Sequence, residues 1–191
     1  MRIEQRQPTQ QLGLDDDLLD RVFAARGISD PSQLERGLVN LLSPADLPEI
    51  DIAAARLADA VEQNQKILIV GDFDADGATS VALCLLALRA MGAVNVDFLV
   101  PNRFDYGYGL SPEIVQLAAT LAPNVIVTVD NGVASVDGVA LANEAGIDVV
   151  VTDHHLPGDV LPDAHALVNP NVGDNAFASK SMAGVGVAYY L

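Results

Sequence analysis

Residues Lys66 to Gly77 read K-I-L-I-V-G-D-F-D-A-D-G, a short apolar run that ends in aspartates at alternate positions, Asp72, Asp74 and Asp76. An apolar run of this length predicts a buried strand. Nothing in folding requires three carboxylates at its tip, where like charges repel. A hard divalent cation would remove that repulsion, because such cations prefer carboxylate oxygens. The pattern recurs downstream. The run V-I-V-T-V ends in Asp130-Asn131-Gly132, and the apolar stretch Ile147–Thr152 ends in Asp153-His154-His155. A further run, Val94–Val100, gives way to Pro101-Asn102-Arg103. Ligands of open α/β sheets gather outside the carboxyl ends of the strands, so these tips would deliver acids, histidines and an arginine to one edge. Aspartate oxygens with imidazole nitrogens suit Mn²⁺, and also Mg²⁺ or Zn²⁺. Several carboxylates and a histidine can hold two ions about 4 Å apart, one carboxylate bridging. Such a pair lowers the pKa of a shared water and clamps a phosphoryl oxygen. The reaction class this predicts is hydrolysis of a phosphoester or phosphoanhydride.

The elements that must position these residues are strands alternating with helices. Strands are expected at Lys66–Val70, Val94–Val100, Asn124–Val129, Ile147–Thr152 and Ala166–Val168. Helices are expected at Ala78–Met91, Pro112–Leu121, Ser135–Ala145 and from about Ala183. Ser111 before Pro112 is a helix start by capping and first-turn proline, while Gly92 and Gly146 suit helix stops. The order predicts an α/β fold: a doubly wound, mainly parallel five-stranded sheet with helices on both faces and right-handed crossovers. A helical lead-in over residues 1–65 precedes it, with a polar, poorly ordered start (1–14) and helices at Asp15–Gly27, Ser32–Leu42 and Ile52–Asn64. Residues 66–191 form the second division.

Composition bounds the function. Half of the residues are hydrophobic and 19% are charged, which describes a globular chain. No apolar stretch approaches the roughly 20 residues that span a bilayer, and Met1 to Leu12 lack a signal-peptide pattern. The single cysteine, Cys84, lies among leucines and reads as a buried helix position, which fits a reducing, cytoplasmic location. The net charge of −16, with only Arg103 and Lys180 basic after Arg89, argues by itself against nucleic-acid binding. Other readings of the acidic motif are weaker. A calcium EF-hand loop opening at Asp72 would need Glu at its twelfth position, where Leu83 stands. An aspartyl-phosphate phosphatase would leave His154-His155 unexplained. His165 reads as structural, and Gly184 and Gly186 as close helix packing.

These motifs in this order resemble the DHH phosphoesterase family, named for the triad present here as Asp153-His154-His155. The match includes D-F-D-A-D-G at 72–77, P-N-R at 101–103, V-D-N-G at 129–132 and, more loosely, G-Y-G at 107–109, L-V-N-P at 167–170 and A-G-V-G-V-A at 183–188. Within the family the chain is most similar to the 5′-to-3′ exonucleases of single-stranded DNA that act in DNA repair and recombination. The alternative is a hydrolase of small phosphorylated substrates such as oligoribonucleotides, cyclic dinucleotides, polyphosphate or pyrophosphate. The resemblance implies that Asp74, Asp76, Asp130 and His154 bind metal, Asp130 bridging two Mn²⁺ or Mg²⁺ ions. It implies a catalytic place for His155 beside the scissile phosphate, with Asp72 and Asp153 as ligands or as residues that orient them. Arg103 and Asn102 would meet a substrate phosphate. The partner would be the 5′ end of single-stranded DNA.

Members of the family carry another metal-binding aspartate and a smaller second domain beyond this stretch, and the exonucleases add an OB-fold. The chain is therefore expected to be an N-terminal fragment with an incomplete catalytic domain, poorly active in isolation. A basic DNA channel would lie in the part beyond.

Overall fold

Apolar β-branched runs dictate the sheet. The computed structural model of the chain describes residue 8, residues 10–35 and residues 37–191, the side chain of Arg103 excepted. The chain divides into two compact units, residues 1–41 and 42–191.

In the first unit α1 (Asp17–Ala25) is capped by the Asp16 carboxylate, which accepts the N–H groups of Leu18 and Leu19. The buried Asp20 carboxylate accepts the N–H groups of Leu12 and Leu14. Those residues of the expected disordered start are thus held in place, while residues 1–7 and 9 lie outside the described residues. The helix expected over Ser32–Leu42 is replaced by two 3₁₀ turns, Pro31–Leu34 and Leu38–Asn40. Extended backbone at Glu35 and Gly37 interrupts the run, in line with the roughly 1 kcal/mol that glycine costs inside a helix.

The second unit opens with a 3₁₀ turn and α2 (Ile50–Glu62), so this helix, expected within the lead-in, shares a unit with the sheet. Then follow β1 (Ile67–Gly71), α3 (Ala75–Ala90), β2 (Val96–Leu99), α4 (Arg103–Tyr106), α5 (Pro112–Ala119), β3 (Val125–Val129), α6 (Val136–Glu144), β4 (Asp148–Thr152), β5 (Ala166–Val168) and α7 (Gly184–Tyr190). The strands form one all-parallel sheet of order β2-β1-β3-β4-β5. Order reverses between β1 and β3, where a doubly wound sheet opens its ligand crevice.

Side chains alternate between two cores, as a strand's period of two requires. Ile67, Ile69, Val127, Val150 and Val168 pack with Leu57, Leu85, Leu88, Val187 and Phe177, under α2, α3 and α7. Leu68, Val70, Ile126, Val149 and Val151 pack with Ile114, Val115, Val139 and Ala142, under α5 and α6. Burial on both faces is why β1 and β3 read as continuous apolar runs. Two side chains anchor the sheet elsewhere: Glu49 Oε2 accepts the N–H of Leu167 on the outermost strand β5 at 2.6 Å, and Asn124 Oδ1 that of Lys66, just before β1, at 2.8 Å. His165, just before β5, lies 3.9 Å from Asp148 at the start of β4.

A departure from expectation that bears on the site is at α3. It begins at Ala75, not Ala78, because Asp74 Oδ1 caps it by accepting the N–H of Gly77 at 2.9 Å. Asp76 therefore sits in the first helical turn. α4 was not expected either; Asn102 Oδ1 caps it through the Phe104 N–H.

Ile69 is fully buried at the centre of the first core. Its replacement by Ala is expected to cost about 2–5 kcal/mol through lost burial and the cavity left behind. Urea denaturation measures this, and a loss below about 1 kcal/mol would contradict the packing described.

Candidate metal centre

Strand register lines up the chemistry. Gly71 pairs with Val129, Val129 with Thr152, and Thr152 with Val168. The next residue on each strand is Asp72, Asp130, Asp153 and Asn169, so four polar residues form a row along the carboxyl edge. Parallel pairing makes this row a consequence of four apolar strands ending level.

The first loop turns tightly. A Cβ on Gly77 would lie 2.4 Å from the Asp72 carbonyl oxygen, so only glycine lets α3 start this close to β1. The turn brings Asp72 and Asp74 together with Asp130: one carboxylate oxygen from each lies within 4.8 Å of the others. Asp130, His154 and His155 form a second such set, and Asp130 belongs to both.

Asp130 is 2% exposed and adopts left-handed backbone, φ 61°. Its Oδ1 has no hydrogen-bond donor among the described residues. The His154 Nε2 atom lies 3.0 Å away but out of hydrogen-bond alignment. Burial pushes the Asp130 carboxyl up to about 6; the Asp76 and Asp74 charges add to this, and the His154 and His155 imidazoles oppose it. A buried carboxylate oxygen with no donor, among other carboxylates and an imidazole, fits a hard or borderline divalent cation.

Asp153 is equally buried but has a donor on each oxygen. Its Oδ2 accepts the Val133 N–H at 2.8 Å. Its Oδ1 accepts the backbone N–H groups of His154 and His155, and His155 Nδ1 at 2.7 Å. That last contact fixes a proton on Nδ1. Burial lowers the His155 pKa, but the hydrogen bond to Asp153 and the charges of Asp153, Asp130 and Asp72 outweigh it and hold the group above its ordinary value.

Asp76 is placed differently from Asp72 and Asp74. Its Oδ2 accepts the Gly184 N–H at 2.7 Å and its Oδ1 the Val185 N–H at 2.8 Å, while its nearest approach to His154 Nε2 is 3.8 Å. Each oxygen keeps a further lone pair. Asn102 and Arg103 are at the start of α4; Asn102 also donates to Asp105, and the side chain of Arg103 lies outside the described residues.

Several residues near the centre were not assigned a role from sequence. The Tyr108 hydroxyl donates to the Asp130 carbonyl at 3.0 Å and lies 3.2 Å from His155 Nδ1. Burial and the nearby charges of Asp153, Asp130, Asp72 and Asp74 hold its pKa far above normal, so it remains a donor. Asn169 Nδ2 donates to the His155 carbonyl and Asn171 Nδ2 to that of His154, fixing the triad's backbone from behind. The G-Y-G and L-V-N-P strings contain two of these residues, but their partners are set by tertiary structure. Beside the centre a cavity of about 290 Å³ is lined by Tyr108, Ser111, Ser135, Asp153 and His155, among others.

Comparison with known proteins agrees with this fold. Residues 66–191 match the family model described as DHH family, N-terminal domain. The chain is 55% identical over 174 residues to the single-stranded-DNA-specific exonuclease RecJ of Salmonella typhimurium, covering 91% of this chain and 30% of that protein. It is 41% identical over 148 residues to the RecJ of Bacillus subtilis, covering 78% and 19%. Among solved structures, exonuclease RecJ bound to manganese superposes with a TM-score of 0.70 at 35% identity, covering 78% of this chain and 38% of that one. RecJ from Thermus thermophilus in complex with Mn²⁺ gives 0.66 at 29% identity, covering 88% and 23%. The chain spans 30% of one of these curated relatives and 33% of the RecJ of Dickeya dadantii.

A raised acid pKa favours the fold while the acid is protonated. For Asp130 this contribution is complete below its ordinary value of 3.8 and is lost as pH rises through about 6. Asn tolerates the left-handed backbone of this position and never ionises. The metal-free Asp130→Asn chain should therefore be more stable than the parent above pH 6, and the difference should shrink as pH falls toward 3.8. Urea midpoints measured across that range without divalent ions check this. A pH-independent difference would contradict the assigned burial of charge.

Proposed function

The chain belongs to the DHH family, and from that premise we propose that it is the metal-binding part of the catalytic core of a 5′-to-3′ exonuclease of single-stranded DNA. Residues 66–191 would be its first catalytic domain, preceded by a helical lead-in over 1–65. The observation that carries the reading is the buried Asp130 carboxylate, whose Oδ1 has no hydrogen-bond donor among the described residues and which two candidate ligand sets share.

On this reading Asp74, Asp76, Asp130 and His154 would hold two Mn²⁺ or Mg²⁺ ions, and Asp72, which meets Asp74 and Asp130 in one candidate ligand set, would be a further ligand or would orient them. Asp76 stands in the first turn of α3 and has a lone pair left on each oxygen for an ion. When bound, the ions supply the Lewis acidity that makes water a nucleophile near neutral pH and offset charge on a phosphodiester. His155 stands half-exposed beside them. Its raised pKa keeps a larger share of it protonated near neutrality, suited to donating a proton to the departing oxygen or a hydrogen bond to the phosphate. Asp153 orients that imidazole through its Oδ1. Arg103 and Asn102 follow β2 on the same edge and are assigned to a substrate phosphate, a guanidinium being able to grip two oxygens at once. The work proposed is in DNA repair and recombination, in a cytoplasm that keeps Cys84 reduced. Among the described residues no helix is long and apolar enough to cross a membrane.

The test uses the full-length protein with Mn²⁺ or Mg²⁺ on 5′-labelled single-stranded DNA, beside a panel of dinucleotides, cyclic dinucleotides and pyrophosphate. Mononucleotides should be released from the 5′ end. Asp130→Asn should lower kcat/KM by roughly 10³-fold, the several kcal/mol that an ion contributes to charge stabilisation. Asp153→Asn should cost about 10–100-fold, as changes to groups that orient metal-site ligands do. Long DNA left intact while a small substrate is hydrolysed would overturn the proposal.

A further inference from the structure

We infer that Gly184 is a positioning residue: with the first turn of α7 it holds the Asp76 and Asp130 carboxylates in register. The inference rests on the metal-centre reading above and extends it to a residue that would touch no ion.

The geometry has two halves. The residue before α7, Ala183, offers no side-chain oxygen to cap the helix. The N–H groups of Gly184 and Val185 instead go to the two oxygens of Asp76, at 2.7 and 2.8 Å, across more than a hundred residues of chain. This two-pronged bond fixes the rotation of the Asp76 carboxylate and ties α7 to the first turn of α3. The other half is contact. A Cβ placed on Gly184 would lie 2.4 Å from Asp130 Oδ1 and 2.8 Å from both its Cβ and Cγ. Gly184 does not have positive φ, so its backbone places no demand for glycine. What the position requires is space for the unpartnered Oδ1 of the carboxylate that the two ligand sets share. One glycine thus allows the α7 backbone to press on Asp130 while its N–H holds Asp76.

Gly186, two residues on, provides a control in the same helix. A Cβ there would meet the Met182 Cγ at 2.5 Å and Sδ at 2.9 Å, in a flexible side chain able to move aside. Both Gly→Ala changes raise helix propensity, and only Gly184→Ala strikes the Asp130 carboxylate.

The experiment compares the chain with its Gly184→Ala and Gly186→Ala variants, with far-UV circular dichroism to establish folding. In the metal-free state the His154 imidazole signals, which sense Asp130, should shift in Gly184→Ala and stay in place in Gly186→Ala. Mn²⁺ titration followed by electron paramagnetic resonance should show the dissociation constant raised roughly 10–100-fold in Gly184→Ala, the usual cost of disturbing a group behind a ligand, and about unchanged in Gly186→Ala. Unmoved His154 signals in a folded Gly184→Ala, or equal losses in both variants, overturn the inference. Should Gly184→Ala not fold, the unaltered chain still decides: protected, downfield Gly184 and Val185 amides support the clamp, and fast-exchanging ones overturn it. A parent chain that binds no Mn²⁺ would remove the metal-centre reading, while the metal-free His154 signals would still judge the clamp.

Discussion

Asp130 carries a carboxylate at 2% exposure with one oxygen that no hydrogen bond reaches among the described residues, and the groups around it answer to that unmet demand. Left alone, a buried charge among Asp72, Asp74 and Asp76 is costly, and the molecule partly relieves the cost by holding the carboxyl up to about 6. The turn that presents it has little freedom. Asp130 is in left-handed backbone, and Gly132 follows at φ 118° with room for no side chain, since a Cβ there would lie 2.4 Å from Thr128 Oγ1. The V-D-N-G string is thus a turn built for one purpose, to bury a carboxylate against the end of β3. A cation is the partner whose charge would offset this cost and whose preferred ligands are already present.

The sheet supplies the precision such a site requires. Side chains that act together must be held to within a fraction of an ångström, and regular elements do this better than loops. Here β1, β3 and β4 end level, are buried on both faces, and put Asp72, Asp130 and Asp153 in one row. Within that row burial alone does not decide role. Asp130 and Asp153 are both inaccessible, yet Asp153 has a donor on each oxygen, from Val133, His154 and His155, while Asp130 Oδ1 has none among the described residues. On the proposed reading this difference in partners makes Asp130 the residue that offers an open oxygen to an ion and Asp153 the one that aims its neighbour.

The strands were legible because a sheet covered on both faces writes itself as apolar β-branched runs, and the polar residues after each run follow from the same reading. Local chemistry that competes along the chain was less legible. Glu35 and Gly37 broke an expected helix into 3₁₀ turns, and Asp74 drew the start of α3 three residues forward by capping it. Least legible were partnerships across long separations. The bond from Asp76 to the start of α7, the Tyr108 hydroxyl on the Asp130 carbonyl, and the Asn169 and Asn171 amides behind the two histidines leave no periodic trace. A hydrogen bond of this kind depends on which strands neighbour one another, and neither propensity nor spacing encodes that.

The charge of −16 at first argued against a nucleic-acid substrate, and the structure changes the weight of that argument. Of the two basic residues after Arg89, Lys180 is already committed: its Nζ donates to the Pro170 carbonyl and to Asn175 Oδ1, each at 2.7 Å. It braces the loop whose Asn171 holds His154, so it is not a free cation for phosphate. On the proposed reading the attraction for a polyanion at this edge must come from Arg103, a protonated His155 and bound ions. The acidity of the edge is then a requirement of the site, since the carboxylates that would repel DNA are the ones that would gather the cations. Such an edge repels a phosphodiester when empty and attracts one when loaded. Metal occupancy would therefore decide binding as well as chemistry.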